Sequence, residues 1–264
     1  MLRPDPSPGD EAQPGVITAM LARRSIREGF DHRPIPGAFM REIIRCGLAA
    51  PSSKNAQPWR MHVVTDQATL AALADAVERA TGADEYVPHD PATGKPRPAY
   101  VSTVRESAQV LRDVSAAIFM ENRGLFSNGR SALASASRPA LAGSLVGFGL
   151  EMVGIGAAIE NMWLAAEALG VRVAFMGDVA IAEDEICHRL NIAGDLVGVL
   201  ALGFSDVPPP TRRQRLDEHD ADHVVWHERE PAAGQHDAGR PALSAPTATR
   251  SRTGRDRGGL PAFA

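Results

Sequence analysis

The longest apolar stretch of the chain, GSLVGFGLEMVGIGAAIENMWLAA at 143–166, constrains the fold more than any other feature. It is long enough to cross a bilayer as one helix, but Glu151 and Glu160 interrupt it. A carboxylate at the centre of a membrane helix costs about 2.5–3.5 kcal/mol. We therefore expect a helix over roughly 145–169 that is buried inside protein and capped by Gly170, and we expect no membrane partner.

Shorter periodic segments of two kinds flank this helix. Helical spacing of apolar residues occurs in VITAMLARR, PGAFMREIIRCGLAA, QATLAALADAVERA, ESAQVLRDV and EDEICHRLN. Strand-like runs are MHVVT, SAAIFM, VRVAFM and LVGVLALGFS. Because the two kinds do not alternate strictly, we predict an α+β fold, with a small mixed or antiparallel sheet flanked by helices.

Composition divides the chain into three regions. Residues 1–14 are rich in proline, 15–228 carry the periodic patterns, and 229–264 consist mainly of Ala, Gly, Pro, Arg, Ser and Thr. We expect both ends to be disordered, because they contain too few large apolar residues to offset the entropy lost on ordering. Within the body, the proline-rich segment 82–104 and the polar stretch 121–143 lead us to expect lids or insertions between 82 and 142.

Charge and cysteine content narrow the functional class. A formal net charge of −4 at pH 7 argues against a general nucleic-acid binder. Cys46 and Cys187 lie far apart in helical patterns, which indicates buried, reduced thiols in a cytoplasmic protein. The proline and acidic residues at the start of the chain are not those of a secretory signal.

Three polar stretches carry residue types suited to an anion or a flat heterocycle. RRSIR (23–27) and TRRQR (211–215) offer arginine forks that match phosphate geometry. APSSKNAQPW (50–59) offers two hydroxyls and two side-chain amides, which suit the edge of a ring bearing carbonyls and nitrogens. Taken singly, each basic stretch is more typical of a solvated surface, and the loop is equally typical of a turn satisfied by its own backbone.

In their order and spacing, these stretches resemble the FMN-dependent nitroreductase family. Members begin with an RRSxR-like stretch and carry an APSSxNxQPW-like loop about 25 residues later. A long Gly/Ala-rich helix follows, here GIGAAIENMWLAAEALG, and a basic pair comes after the last strand, here in GFSDVPPPTRRQR. The resemblance covers residues 16 to about 228, although VAFMGDV lacks the glycine pattern of the family. It implies a homodimer with the long helix at its interface and two FMN molecules buried between the subunits.

The resemblance also implies a set of FMN-binding residues. Arg24 would lie against the ribityl and phosphate region, and Arg27 near N1 and O2 of the pyrimidine edge, where a cation tunes the flavin. Backbone amides near Met176 and Gly177 would address N5 and O4. The implied phosphate ligands are Arg23, Ser25, Arg213 and Arg215. The implied ligands in the loop are Pro51, Ser52, Ser53, Asn55 and Gln57. No side chain is implied as catalytic, because the chemistry resides in the flavin.

The implied activity is transfer of hydride from NADH or NADPH, through flavin N5, to an electron-poor small molecule such as a nitroaromatic or a quinone. Two alternatives stay open. One is a specialised enzyme of the same fold, such as a dimethylbenzimidazole synthase, a reductive dehalogenase or an azoline oxidase. The other is a flavin-binding protein for storage or sensing, without turnover. An α+β domain with no cofactor would require all three stretches to match by accident.

One histidine pattern resembles a metal site. His219, His223 and His227 recur at i, i+4 and i+8, a spacing that would align three imidazoles on a helix. The family places an exposed, charged segment at this point, away from the chemistry. We therefore predict no metal site there.

Overall fold

The computed structural model describes residues 15–82, 93, 95, 102–211 and 224–226. Within these ranges the helices are α1 (Gly15–Ala22), α2 (Gly37–Leu48), α3 (Gln67–Arg79), α4 (Val104–Asp113), α5 (Gly129–Ser135), α6 (Arg138–Ala168) and α7 (Glu183–Leu190). The strands are β1 (Trp59–Val64), β2 (Ala116–Asn122), β3 (Arg172–Met176) and β4 (Asp195–Gly203). The predicted helices and strands are confirmed, and α5 is an additional element that the sequence did not predict.

The four strands form one sheet in the order β1-β2-β4-β3. Every neighbouring pair is antiparallel. Strand residues alternate between the two faces of such a sheet, so each face can take its own layer of helices. The α+β class predicted from the sequence is confirmed, with an antiparallel rather than a mixed sheet.

Two separate apolar cores lie on the two faces of the sheet. Ile118 and Met120 of β2 belong to the core formed with α2 and α6. Ala117 and Phe119, the alternate residues of the same strand, belong to the core formed with α3, α4 and α7. The result is a helix–sheet–helix sandwich in which α6 runs across one face.

Helix α6 is longer than the sequence predicted. It begins at Arg138 rather than near 145, with proline in its first turn, where the missing N–H has no helical partner to lose. It ends before Gly170, whose φ of 71° confirms the predicted cap. The polar stretch 121–143, expected to be a long loop, therefore consists mostly of the end of β2, α5 and the start of α6.

The prediction that this helix is buried holds for one of its sides only. Glu151, Ile155 and Met162 are fully buried, whereas Val146 and Val153 on the other side are 64% and 73% exposed. By length and composition α6 could also cross a membrane, as the central helix of a globular protein often can. An exposed apolar side of a helix is typical of an interaction surface.

The sheet contains a β-bulge where β2 pairs with β4. Met120 pairs with Gly198, but the next residue, Glu121, pairs with Leu196, so Val197 is an extra residue on β4. Gly198 has a φ of 153°, and a Cβ there would lie 2.7 Å from Cζ of Phe175. Bulges of this kind often lie beside active sites, where they redirect side chains.

Several sequence predictions concern residues outside the described ranges. These are the expected disordered ends at 1–14 and 229–264, and most of the proline-rich segment, at 83–92, 94 and 96–101. Whether part of 82–142 serves as a lid stays a prediction.

Candidate functional site

The RRSIR stretch runs alongside the edge strand β3. Ser25 forms a parallel bridge with Val173, and the backbone N–H of Ile26 donates to the carbonyl of Val173 at 3.1 Å. Ile26 is buried in the core on the α3 and α4 side of the sheet. Because neighbouring side chains of an extended segment alternate, Arg23, Ser25 and Arg27 share the opposite side, which faces α6.

Arg23 is held by two side chains of α6. Its Nε donates to Oε1 of Glu160 at 2.7 Å. Its guanidinium carbon lies 4.7 Å from the ring centroid of Trp163, within the range of a cation–π interaction. The arginine that the sequence assigns to a phosphate thus already has a fixed orientation.

Arg24 binds backbone carbonyls instead. Its Nη1 donates to the carbonyls of Leu21, Ala22 and Arg23, at the C-terminal end of α1. Its Nε donates to the carbonyl of Pro210 at 3.2 Å. The second contact brings the chain that leads into TRRQR next to RRSIR.

Arg27 lines a cavity of about 550 Å³. Three of its walls are apolar side chains, namely Phe148 and Met152 of α6 and Phe175 of β3. Met176 and Gly177 line the same cavity, so the structure brings together three of the residues predicted to contact the flavin ring. Arg27 forms no ion pair with any residue in the described part of the chain.

The APSSKNAQPW loop is an ordered turn with an unusual backbone. Lys54, Asn55 and Gln57 have φ values of 51°, 53° and 47°, which are uncommon for residues other than glycine. The backbone N–H of Gln57 donates to Oγ of Ser52 at 3.0 Å, and that of Asn55 donates to the carbonyl of Ser52 at 3.0 Å. Strained backbone of this kind is found preferentially at ligand sites.

The loop and the cavity lie on different sides of α6. A Cβ on Gly154 would be 3.2 Å from Cβ of Ser52, so the loop packs against that position. Met152, which lines the cavity, is two residues earlier and therefore about 200° away around the helix. None of residues 51–57 lines the cavity. Within one chain, then, the predicted binding residues form two groups, and Arg213 and Arg215 lie outside the described residues.

The structure adds residues that the sequence analysis missed. Asp178 lines the cavity and accepts hydrogen bonds from Oγ1 of Thr103 at 2.7 Å and Oγ of Ser107 at 2.8 Å. Arg130 also lines the cavity and pairs with Glu183. The position of Asp178 directly after β3 and Gly177 could have marked it as a site residue. Its hydrogen-bond partners, Thr103 and Ser107, are too distant in sequence to be inferred.

Glu151 is a buried carboxylate that anchors the turn after β2. It accepts hydrogen bonds from Nδ2 of Asn122 at 2.9 Å, Oγ of Ser127 at 2.6 Å and the backbone N–H groups of Phe126 and Ser127 at 2.5 and 3.0 Å. Burial disfavours the charge of this carboxylate, but these hydrogen bonds outweigh burial and lower its pKa. The glutamate that argued against a membrane helix is therefore a structural anchor.

The two cysteines and the histidine series were also candidates, and none of them forms a reactive or metal site within the described residues. Cys46 and Cys187 are free thiols that are half-buried, not fully buried as expected. Burial, with the nearby carboxylates of Glu183 and Glu121, raises the pKa of Cys187 to about 11, so its thiol stays protonated. The three histidines at 219, 223 and 227 lie outside the described ranges.

Comparisons with known proteins identify the family and the fold. A model of the Nitroreductase family matches residues 20–204. An NADH dehydrogenase from Thermus thermophilus is 51% identical over 59 residues, which are 22% of this chain and 28% of that protein. Chloronitrobenzene nitroreductase from Comamonas testosteroni is 35% identical over 69 residues, which are 26% of this chain and 30% of that protein. These matches span less than a third of either relative.

A solved structure shows the same fold over a greater length. NADPH:FMN oxidoreductase from Vibrio harveyi, complexed with NAD+, superposes with a TM-score of 0.55 at 21% sequence identity. The similarity covers 83% of this chain and 79% of the Vibrio protein. Since the family model spans most of the chain and the fold agrees with it, this chain belongs to the nitroreductase family.

Proposed function

We propose that the chain is an FMN-dependent oxidoreductase that takes hydride from NADH or NADPH and delivers it to a small, electron-poor acceptor such as a nitroaromatic or a quinone. One observation carries the proposal. The cavity beside β3 combines a cation, Arg27, which has no ion-pair partner among the described residues, with apolar walls from Phe148, Met152 and Phe175. That pairing suits a flat ring that must hold extra negative charge after reduction.

The residues present fit FMN. The cavity volume of about 550 Å³ lies in the range of small-molecule sites, about 300–1,000 Å³. Because residue 198 is a glycine, β4 passes close to the ring of Phe175. That ring forms an aromatic wall of the cavity, and a side chain at residue 198 would clash with it. The names of the Vibrio and Comamonas proteins, an FMN oxidoreductase and a nitroreductase, support the same cofactor and acceptor class.

We propose the same FMN-binding residues that the family resemblance implies. Arg27, with the backbone at Met176 and Gly177, would contact the ring. Arg24 would stay near the ribityl and phosphate region while capping α1. The proposed phosphate ligands are Arg23, Ser25, Arg213 and Arg215. The proposed ligands from the loop are Pro51, Ser52, Ser53, Asn55 and Gln57.

A homodimer would account for the separation of the loop from the cavity. The exposed side of α6 carries Leu145, Val146, Leu150 and Val153, and α1, which contacts α6, exposes Val16 and Met20. Exposed apolar residues grouped on helices in this way are typical of a subunit interface. Docking two copies through α6 would bring the loop of one copy towards the cavity of the other, which lies across the helix.

When bound, FMN would supply the capacity to accept hydride at N5 and to donate it again. The chain would bind and orient the ring, place a cation at its pyrimidine edge and exclude water with Phe148, Met152 and Phe175. No side chain is required as a nucleophile. A cytoplasmic location and the absence of nucleic-acid and membrane partners stay predictions.

The test is an anaerobic titration of the purified, FMN-loaded protein with NADH and, separately, with NADPH. Bleaching of the flavin absorption band supports the proposal, and subsequent recovery on addition of a nitroaromatic or a quinone identifies the acceptor class. If the protein fails to retain FMN, the cofactor is wrong. If FMN binds but stays oxidised with both nucleotides, the hydride donor is wrong. Arg27→Ala should weaken FMN binding because it removes the cation that lines the cavity, whereas the matched control Arg41→Ala, which removes an exposed arginine of α2, should not.

A further inference from the structure

Two contacts fix the plane of the Arg23 guanidinium and its rotation within that plane. Trp163 lies under the face of the guanidinium, with 4.7 Å from Cζ to the ring centroid. Glu160 takes the inner N–H, with 2.7 Å from Nε to Oε1. Because a guanidinium is planar and rigid, these two contacts fix the direction of its remaining N–H groups.

The outer edge of Arg23 is left open. Arginine has five N–H donors, of which Glu160 engages the one on Nε. Neither terminal nitrogen donates a hydrogen bond to the described part of the chain. The side chain is 33% exposed, so its outer edge can reach a ligand while its stem is partly shielded. Two parallel N–H groups are the geometry with which arginine binds two phosphate oxygens.

The indole of Trp163 is not explained by its own hydrogen bonding. It is 6% exposed, and its Nε1 has no hydrogen-bond partner within the described ranges of the chain. A buried donor without a partner is unfavourable, so an apolar ring would suit the packing better. What a tryptophan offers here over other ring residues is the strongest cation–π contact with Arg23.

We infer that Glu160 and Trp163 are positioning residues for the cofactor phosphate: they orient Arg23 so that its two terminal nitrogens face the phosphate of FMN. The inference rests on the proposed function for the identity of the ligand. Glu160 acts through Arg23 and does not itself touch the phosphate, which its negative charge would repel. The ion pair with Glu160 lowers the local positive potential, but it fixes the direction in which Arg23 presents its terminal N–H groups.

The experiment measures dissociation constants for FMN and for riboflavin, which lacks the phosphate. Flavin fluorescence on the full chain gives both values in the unmodified protein, Glu160→Gln and Glu160→Ala. We expect Glu160→Ala to raise the FMN constant about tenfold. Glu160→Gln keeps an acceptor for Nε–H and should stay within about threefold. The riboflavin constant should change less than twofold in both variants.

A double-mutant cycle with Arg23→Ala isolates the positioning role. In the Arg23→Ala background, Glu160→Ala should have no further effect on FMN binding. Trp163→Phe, which keeps a ring but weakens the cation–π contact, should raise the FMN constant slightly and leave the riboflavin constant unchanged. These two readouts would move together if the role were only structural.

Three results would overturn the inference. They are an FMN constant for Glu160→Ala that is unchanged or lower, a Glu160→Gln constant as high as that of Glu160→Ala, and a parallel change for riboflavin. The proposed function is tested separately, because bleaching by NADH or NADPH is measured at saturating FMN. Weak FMN binding with intact bleaching leaves that function standing, whatever the role of Glu160.

Discussion

Nδ2 of Asn122 and Oε2 of Glu151 are 2.9 Å apart in the interior, and both residues are fully buried. Asn122 ends β2, and Glu151 lies in the middle of α6. Their hydrogen bond joins the sheet to the helix at the point where the chain turns towards α5. The same carboxylate also holds the backbone of that turn, so one side chain accepts from the end of β2 and from the turn that follows it.

Glu151→Ala should destabilise the protein by about 3 kcal/mol or more, because several buried donors lose their acceptor and each orphan costs about 1–3 kcal/mol. Chemical denaturation gives the free energy of unfolding. Glu42→Ala removes an exposed glutamate that pairs with Arg45, and should change that free energy by less than about 1 kcal/mol. Equal losses in the two variants would contradict the anchoring role.

The lowered pKa of Glu151 predicts a direction for acid sensitivity. A carboxylate whose pKa is lower in the folded than in the unfolded state stabilises the fold fully above the unfolded pKa, near 4.5. That contribution is lost as the pH falls through the lower, folded pKa. The difference in unfolding free energy between the unmodified protein and Glu151→Gln should therefore shrink below pH 4.5. A parallel series on the exposed Glu106→Gln provides the baseline, and a difference that grows in acid would contradict the prediction.

Gly198→Ala should damage both the sheet and the cavity. The added Cβ would lie 2.7 Å from Cζ of Phe175 and 2.8 Å from the carbonyl oxygen of Met176, at a φ of 153° that alanine avoids. We expect a loss of about 1–3 kcal/mol, as for other overpacked sites, together with weaker FMN binding. Gly143→Ala in α6 is the matched control, since nothing lies within 4 Å of its added Cβ. It should be neutral or stabilising by up to about 1 kcal/mol.

Val153→Glu tests the proposed dimer. Val153 is 73% exposed in the single chain, so a glutamate there costs little in a monomer but would bury a charge in an interface. We expect the variant to run as a monomer in sedimentation analysis and to lose FMN. Gln109→Glu adds the same charge to α4, on the other side of the sheet, and should change neither property. A dimeric, FMN-retaining Val153→Glu, or a monomeric unmodified protein, would rule out the α6 interface.

The fold was largely predictable because its elements carry clear periodic patterns. Helix α5 was missed because GRSALAS is too short to show one. The start of α6 was placed too late because proline and glycine in RPALAG were taken as loop residues, although proline is well suited to a first turn.

The site was predictable only in part, because its residues meet through tertiary contacts. The RRSIR stretch and the end of β3 were recognised from sequence, and the structure places Arg27 beside Gly177 in one cavity. Thr103 and Asp178, by contrast, are 75 positions apart, and no local pattern indicates that they are hydrogen-bonded. Likewise, nothing near Arg23 in the sequence shows that its partner is Glu160 on another element.

Because of the bulge in β4, the number of residues in this strand affects the shape of the cavity. Val197 is the one residue that the pairing with β2 skips. It lines the cavity together with Leu196, which also packs in the core formed with α3, α4 and α7. Deleting Val197 would restore regular pairing and keep Leu196 opposite Glu121, but it would remove one of the side chains that line the cavity. A substitution at 197 changes one side chain of the cavity, whereas a deletion would also remove the bulge beside Gly198, which lies against Phe175. We therefore expect the residue type at 197 to be less constrained than the number of residues between Leu196 and Val199.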